Sequence, residues 1–482
     1  MNNEEYRRKV YGAWIGKAVG GTLGAPYEGF DGPLDLTFYD PVPTTMLPND
    51  DLDLQVVWAC RLATDWKGVI DRRNFEKAWR ENIYFCFDEY GICIRNLQLG
   101  LHAPQTGEYD NAFTDGLGAA IRSELWACLA PGDPKLAAAY AYEDACLDHH
   151  GNGIYAEQFL AGLESYLFTD SDLGRAIEAG LSVIPRDSKL ATAIRDTRKW
   201  CAELNDFWRV RERIMSVYGS DNFTDVTMNL SMEAAALLLC GDDLSKAICL
   251  AVNGGNDADC TGATVGAIMG IRDPGCIGEE WLKPIGTSLV LNKEITGLNP
   301  PADLDGFTDM VAGLRETVVL RPTVEEQPPV ARRVNVRVCD FAPWCMKDFR
   351  KTPPAFDEKN AMTVALPGNY VTMDLSDLPA NALRLVEMPF TLKETRDIKV
   401  VVNSPGVILA WLDGQLLFHR DGGMFVPAFH RTPANQSAVV KDAAAGKHTL
   451  LFGIRPTTAT GPSVPVLFGI GDTASFWQPD AL

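Results

Sequence analysis

Three glycines, Gly262, Gly266 and Gly270, recur at every fourth position of the apolar run TGATVGAIMGI. On an α-helix that spacing places them on one face. A face without β-carbons lets a second helix approach backbone to backbone. The helix that carries it is therefore expected at the centre of its domain, buried. Just ahead of it the chain reads NGGNDADC, from Asn253. Gly254 and Gly255 make a tight turn, and Asp257 and Asp259 follow at the start of the helix. Two carboxylates at a buried helix tip repel one another and lose their hydration. A bound cation is the economical way to neutralise them.

The first part of the chain, up to about Thr317, is helical in pattern, with apolar residues three and four apart. Clear segments are PKLAAAYAYEDACLDHH from Pro134, GIYAEQFLAGLESYLF from Gly153 and LSMEAAALLLCG from Leu230. An all-α bundle is expected over residues 1–318. The proline-rich, charged run RPTVEEQPPVARR, from Arg321 to Arg333, then reads as a linker, placed at 319–334. Beyond it the helical period fades. RDIKVVVNSPGVILAWLDGQLLFHR is rich in β-branched and aromatic residues, and its Asp413–Gly414 pair signals a type I′ hairpin. GKHTLLFGIRP, from Gly446, is a second strand-like run. Residues 335–482 are expected to form an all-β sandwich of jelly-roll type. The fold class is thus multidomain, all-α followed by all-β.

Composition narrows the partners. The chain has 482 residues, 46% hydrophobic and 22% charged, which is globular. Its formal net charge is −20. So strong an acidity argues against a nucleic-acid binder, which needs a basic footprint, and against an anionic-membrane binder. The opening MNNEEYRRKVYGAWIGKAVGG lacks the clean apolar core of a signal peptide. The longest apolar piece, around Ala263 to Ile271, is too short and glycine-rich to span a bilayer. The 12 cysteines are scattered and read as reduced core thiols, so a cytoplasmic location is expected.

A second acidic motif is PNDDLDLQVVWA, from Pro48 to Ala59. Taken alone, it reads as helix capping, with Asn49 as N-cap and acids in the first turn. Together the two motifs offer carboxylates and side-chain oxygens with no His or Cys pair. Such a donor set favours Mg²⁺, Mn²⁺ or Ca²⁺ over zinc. If the motifs meet in space, the ligand count suits two ions sharing carboxylates, able to orient a hydroxyl and a water.

Four ordered blocks resemble the ADP-ribosylglycohydrolase family over about the first 315 residues. They are GKAVGGTLGAPYEG from Gly16, NDDLD from Asn49, GLGAAIRSELWACLAPGDPKLAAAYAYEDACLDHH from Gly116, and NGGNDADCTGATVGAIMG from Asn253. The resemblance implies an all-α domain with a dinuclear Mg²⁺ centre that hydrolyses a glycosidic bond at the anomeric carbon of a ribose. It implies Asp50, Asp51, Asp257 and Asp259 as metal ligands. Asn49 stands where the family often has Thr, its amide oxygen able to substitute as a metal ligand, and Cys260 stands where the last ligand Thr is usual. A thiol is a poor Mg²⁺ ligand, so the Cys260 contact is either lost, moved to Thr261 or made by water. Many relatives have Asp where this chain has Gly21. Asp53 is an additional acid, either reaching the cluster or simply solvated. Glu28 matches a glutamate that some members place beside the metals. It is expected to orient or deprotonate the attacking water, sharing catalysis with Asp51 and Asp257.

On the substrate side, Asp115, Gly116 and Gly118 lie on a glycine-rich approach to a helix that can offer N–H groups to ribose or phosphate. His150 and Asn152, in the turn His149-His150-Gly151-Asn152-Gly153, border the pocket by similarity. In isolation, such histidines are equally readable as helix caps. Trp344, Trp411 and Trp477 of the β part are either sugar platforms or core residues. The β part could also cover a helical face or build a homo-oligomer. The leading expectation is a metal-dependent hydrolase of an ADP-ribosyl or other ribosyl or glycosyl conjugate. The alternatives are a glycosidase of a small sugar or nucleoside, an inactive ligand-binding protein that recognises through its β domain, and a structural assembly.

Overall fold

A computed structural model describes residues 1–322, 333–345, 351–471 and 476–477. Much of the expected linker, 323–332, lies outside the described residues. The chain divides into two compact units. The first comprises Met1–Tyr84, His102–Gly107 and Phe113–Glu326. The second comprises Phe85–Leu101, Glu108–Ala112 and Gln327–Leu482.

The first unit is helical. Asn2 caps its opening helix, Asn3–Gly24, by accepting from Glu5 N at 2.8 Å. The segments singled out by periodicity form helices Pro134–Ala145, Asn152–Leu167 and Val226–Leu239. Asp133 and Asp225 cap the first and last of these with their carboxylates. The glycine-faced helix is Ala258–Arg272, and Ala258 through Ile271 are all buried. Its partner is the opening helix, which carries its own glycines at matching intervals. Gly12 faces Gly270, Gly16 faces Gly266, Gly20 faces Gly262, and Gly24 faces Ala258. The descending order makes the two helices antiparallel. It therefore brings the end of the first helix beside the start of the second, where the acids are. The helical pattern is interrupted by the two-residue parallel pairing of Val69–Ile70 with Val319–Leu320 and, among the described residues, by isolated bridges such as Phe30 with Asn256.

The second unit is a β-sandwich. One sheet runs, in spatial order, Met362–Leu366, Val334–Phe341, Leu383–Leu392, Gly446–Arg455, Val407–Leu412 and Gln415–Asp421. The other runs Ser437–Ala443, Arg396–Asn403, Ser463–Gly471 and Phe476–Trp477, with Tyr370–Asp374 also paired to Ser463–Gly471. Alternate residues of both sheets, including Val336, Val386, Phe452, Val400 and Phe468, share one core. Asp413 and Gly414 both have positive φ, 49° and 84°, and turn Val407–Leu412 into Gln415–Asp421, as the sequence predicts. Trp344 and Trp411 are buried in a smaller cluster with Leu383 and Leu409, so they are core residues rather than sugar platforms. The Trp477 side chain lies outside the described residues.

This unit also takes in a helix, Asp88–Gln98, from the first part of the sequence. The Asp110 carboxylate receives Arg95 Nη1 at 3.0 Å and the backbone N–H groups of Asn369 and Tyr370 at 3.0 and 2.9 Å. The Asp88 carboxylate pairs with Arg431 at 2.7 Å. No described helix is long and apolar enough to cross a membrane.

Candidate metal centre

The two acidic motifs meet in the first unit. Asn49 caps the helix Asp50–Ala63, accepting from Asp51 N at 3.0 Å. That orientation leaves the Asn49 amide nitrogen facing Asp259 Oδ2 at 3.5 Å. Across the site, Asp257 and Asp259 sit at the start of Ala258–Arg272. The loop bearing Glu28 is stitched to the turn before them. Gly29 N donates to Asn256 O at 2.8 Å, Asn256 N to Phe30 O at 2.5 Å, and Leu34 N to Asn253 O at 2.9 Å. Gly29, Gly255 and Asn256 all have positive φ, at 79°, 78° and 67°, which the glycines adopt without strain. The Asn253 side chain adds two bonds to Leu36, at 2.7 and 2.8 Å.

Two overlapping groups of ligand atoms result. Glu28, Asp257 and Asp259 form one, and Asp51, Asp259 and Cys260 form the other. Within each group the ligand atoms lie within 4.8 Å of one another. Glu28 is exposed, whereas Asp51, Asp257, Asp259 and Cys260 are buried. Burial pushes the Asp50 and Asp259 carboxyls well above the ordinary range, and the neighbouring carboxylates push them further. Asp257 rises to about 8, mainly through burial, with Glu28 and Asp51 adding repulsion. A divalent cation would reverse this logic by stabilising every charged form at once. The residues present therefore fit a divalent ion, and Asp50, half-buried at the helix start, flanks the cluster.

Asp53 does not join it. This carboxylate is buried and accepts from Asn292 Nδ2 at 2.8 Å and Asn292 N at 3.2 Å. Burial lifts it to about 7 against those bonds, so its role is to anchor the 292 loop. Thr261 is buried and its hydroxyl turns back to Ala258 O at 3.3 Å, which leaves Cys260 as the side chain aimed at the acids.

Sequence reasoning missed a buried cation. Lys17, from the opening helix, sits 2.8 Å from Glu124 Oε1 and 3.6 Å from Asp51 Oδ1. Burial works against its charge, but Glu124 and Asp51 hold the ammonium above its ordinary value. Gln55 ties the group together, donating to Glu124 Oε2 at 2.7 Å and to Asp51 O at 2.9 Å. Glu233 is buried nearby, and burial lifts it well above the carboxylate range. Gly21 borders a small cavity with Lys17, Asn49 and Asp51, and a β-carbon there would stand 2.9 Å from Asn49 Nδ2.

The expected substrate residues form a separate group in the same unit. Asn152 Nδ2 donates to Asp115 Oδ2 at 3.4 Å, and His150 N to Thr114 O at 3.4 Å. His150 is exposed, while Gly116 and Gly118 are buried. The Gly118 carbonyl receives Arg122 Nη1 at 2.7 Å. After it come a 3₁₀ turn, Ala120–Arg122, and a six-residue helix, Glu124–Leu129.

No curated protein matches the sequence. Among solved structures, an ADP-ribosylglycohydrolase-related protein complex is 19% identical at a TM-score of 0.45, covering 66% of this chain and 100% of that one. A β-glucosidase from Kluyveromyces marxianus in complex with glucose is 10% identical at a TM-score of 0.19, covering 28% of this chain and 15% of that one. Likenesses of that size carry no argument about activity. The sequence profile of the ADP-ribosylglycohydrolase family, however, matches residues 2–312, well over half of the chain. This protein belongs to the ADP-ribosylglycohydrolase family.

Proposed function

We propose that the protein is a divalent-metal-dependent hydrolase that cleaves the glycosidic bond of an ADP-ribosyl conjugate, or of another ribosyl or glycosyl conjugate. Family membership implies hydrolysis of a glycosidic-type bond, and the family is in general divalent-metal-dependent and acts on ADP-ribosylated substrates. The observation that carries the reading is the convergence of exposed Glu28 with buried Asp257 and Asp259. An all-oxygen set of this kind suits Mg²⁺, which is the ion proposed for that group. When bound, such a cation supplies positive charge to a sugar hydroxyl and to water. Asp257 and Asp259 would hold an ion beside Glu28, and Asp50 and Asp51, on the facing helix, would supply ligands to a second ion next to it. Glu28, reaching solvent, orients the attacking water and takes its proton. Asp115, Gly116, Gly118, His150 and Asn152 are proposed to contact the substrate. Catalysis is assigned to residues 1–318, with 319–334 as linker and 335–482 as an accessory domain. A reducing, cytoplasmic setting is proposed from the scattered spacing of the 12 cysteines.

A turnover screen with Mg²⁺ tests the reading, comparing an ADP-ribosylated peptide, free nucleosides and simple glycosides. Release of ADP-ribose is expected. Cleavage of a nucleoside or glycoside alone would move the substrate but keep the chemistry. If no substrate turns over and the dialysed protein regains no divalent ion, the enzyme reading fails.

A further inference from the structure

The two ligand groups of the centre are chemically unlike. Glu28, Asp257 and Asp259 offer oxygen alone, and Glu28 opens the group to solvent. Asp51, Asp259 and Cys260 offer two carboxylates and a sulfur, all three 7% exposed or less. Oxygen cages select hard cations, whereas a thiolate strongly favours softer ones of the zinc class. Four further observations bear on the inner group. Asp259 Oδ1 is buried with no hydrogen-bond partner. Asp51 Oδ1 accepts no hydrogen bond and lies 3.6 Å from the Lys17 ammonium. Cys260 Sγ points into the acids, donating to Asp51 Oδ2 at 3.5 Å. The neighbouring hydroxyl that could have served as a hard ligand, Thr261 Oγ1, is turned away into its own helix.

We propose that the centre is asymmetric. The outer Glu28–Asp257–Asp259 position takes a hard cation, and the inner Asp51–Asp259–Cys260 position takes a thiophilic divalent cation of the Zn²⁺ or Co²⁺ class. Asp259 belongs to both groups and would be shared between them. The inference rests on the reading of this cluster as a metal centre. The Lys17 ammonium repels a cation there, but it lies closer to Glu124 Oε1, at 2.8 Å, than to Asp51 Oδ1, at 3.6 Å. The acids Asp51, Asp259 and Glu124 outnumber it. On coordination the thiol proton leaves to solvent, as for any metal-bound cysteine. Three protein ligands leave room for water on the ion.

The test uses full-length protein stripped by a chelator and titrated with Co²⁺, with and without saturating Mg²⁺. A thiolate-to-cobalt charge-transfer band is expected, saturating at one ion per chain and surviving Mg²⁺. Cys260→Ser should abolish the band and lower Zn²⁺-over-Mg²⁺ selectivity by about tenfold or more. Cys260→Thr, a second variant that keeps the bulk, should do the same. Both should keep Mg²⁺ or Mn²⁺ binding at the outer position, read by calorimetry or by the Mn²⁺ spin signal. A centre that binds Mg²⁺ but shows no thiolate band, or a band that survives Cys260→Ser, overturns the asymmetry and leaves the proposed function standing. Failure to bind any divalent ion overturns both.

Discussion

Gly262→Ala tests whether helix contact sets the metal site. A β-carbon at Gly262 would stand 2.6 Å from Gly20 O and 2.8 Å from Val252 Cγ2. The valine methyl can rotate aside. The Gly20 carbonyl, inside its own helix, cannot. Carbon–oxygen contact ordinarily begins near 3.3 Å, so the two helices must part by about 0.7 Å at this level. Overpacking of this kind costs about 1–3 kcal/mol, seen as a fall of several degrees in Tm. Asp259 lies on the displaced helix three residues away, and Glu28 follows the helix opposite. Metal sites tolerate departures of about 0.2 Å, so a shift of this size should weaken Mn²⁺ or Mg²⁺ binding about tenfold or more. Thermal melts and calorimetric titration read the two effects. The matched control is Gly313→Ala, on the exposed side of the helix Leu304–Leu314, where a β-carbon meets nothing within 4 Å. That change should stabilise by about 0.5–1 kcal/mol. Wild-type Tm and wild-type metal affinity in Gly262→Ala would refute the argument.

Three further outcomes follow from the same geometry. Asp257→Ala should abolish turnover and weaken metal binding, whereas Glu28→Gln should keep the metal and lose rate; calorimetry with steady-state kinetics separates them, and turnover retained in Asp257→Ala would sink the ligand assignment. Lys17→Met leaves Glu124 and Asp51 buried without their cation and should cost about 3–5 kcal/mol in denaturant unfolding, an unchanged midpoint being the contrary result. His430 is lowered from its ordinary 6.5 to about 3, chiefly by burial, with Arg431 and Lys399 adding to it. The unfolded chain therefore takes up that proton first, and stability falls as pH drops from about 6.5 toward 3. His430→Gln should flatten that part of the stability–pH curve, and an unaltered curve would count against the assignment.

What the sequence could and could not disclose follows from range. The Gly262-Gly266-Gly270 spacing is local, so it reveals a close-packed, buried helix. Its partner stripe, from Gly12 to Gly24, lies more than two hundred residues earlier, and a single sequence carries no sign that the two pair. Lys17 falls within a glycine-rich run and reads as an ordinary surface lysine until the fold sets it against Glu124. Asp53 shows the same effect in reverse. It looks like one more acid of the motif, yet Asn292, from a distant loop, claims its oxygens. The two-unit organisation is legible from the change of period. The inclusion of Asp88–Gln98 with the sandwich is not, because it depends on two long-range contacts, Asp110 with the backbone of Asn369 and Tyr370 and Asp88 with Arg431.

The backbone contact between the helices also explains why the acids would favour a cation. Had the faces carried ordinary side chains, water could have reached Asp257 and Asp259 between them. With carbonyls stacked on glycines, the helix tip is sealed, and burial becomes the largest cause lifting both carboxyls. Protons can satisfy such a cluster, but a divalent ion satisfies it without leaving unpaired oxygens. Folding and metal binding are then linked, and removing the ion should loosen the helix pair as well as stop turnover. The seal has a second consequence. Glu28 is the exposed carboxylate of the two ligand groups, so under the proposed function a substrate would reach a bound ion from its side. There a bound divalent ion would offset the cluster's negative charge, although the chain as a whole carries −20. A small phosphate-bearing conjugate can approach that point. A long polyanion would also have to lie along the acidic surface around it, which electrostatics disfavours.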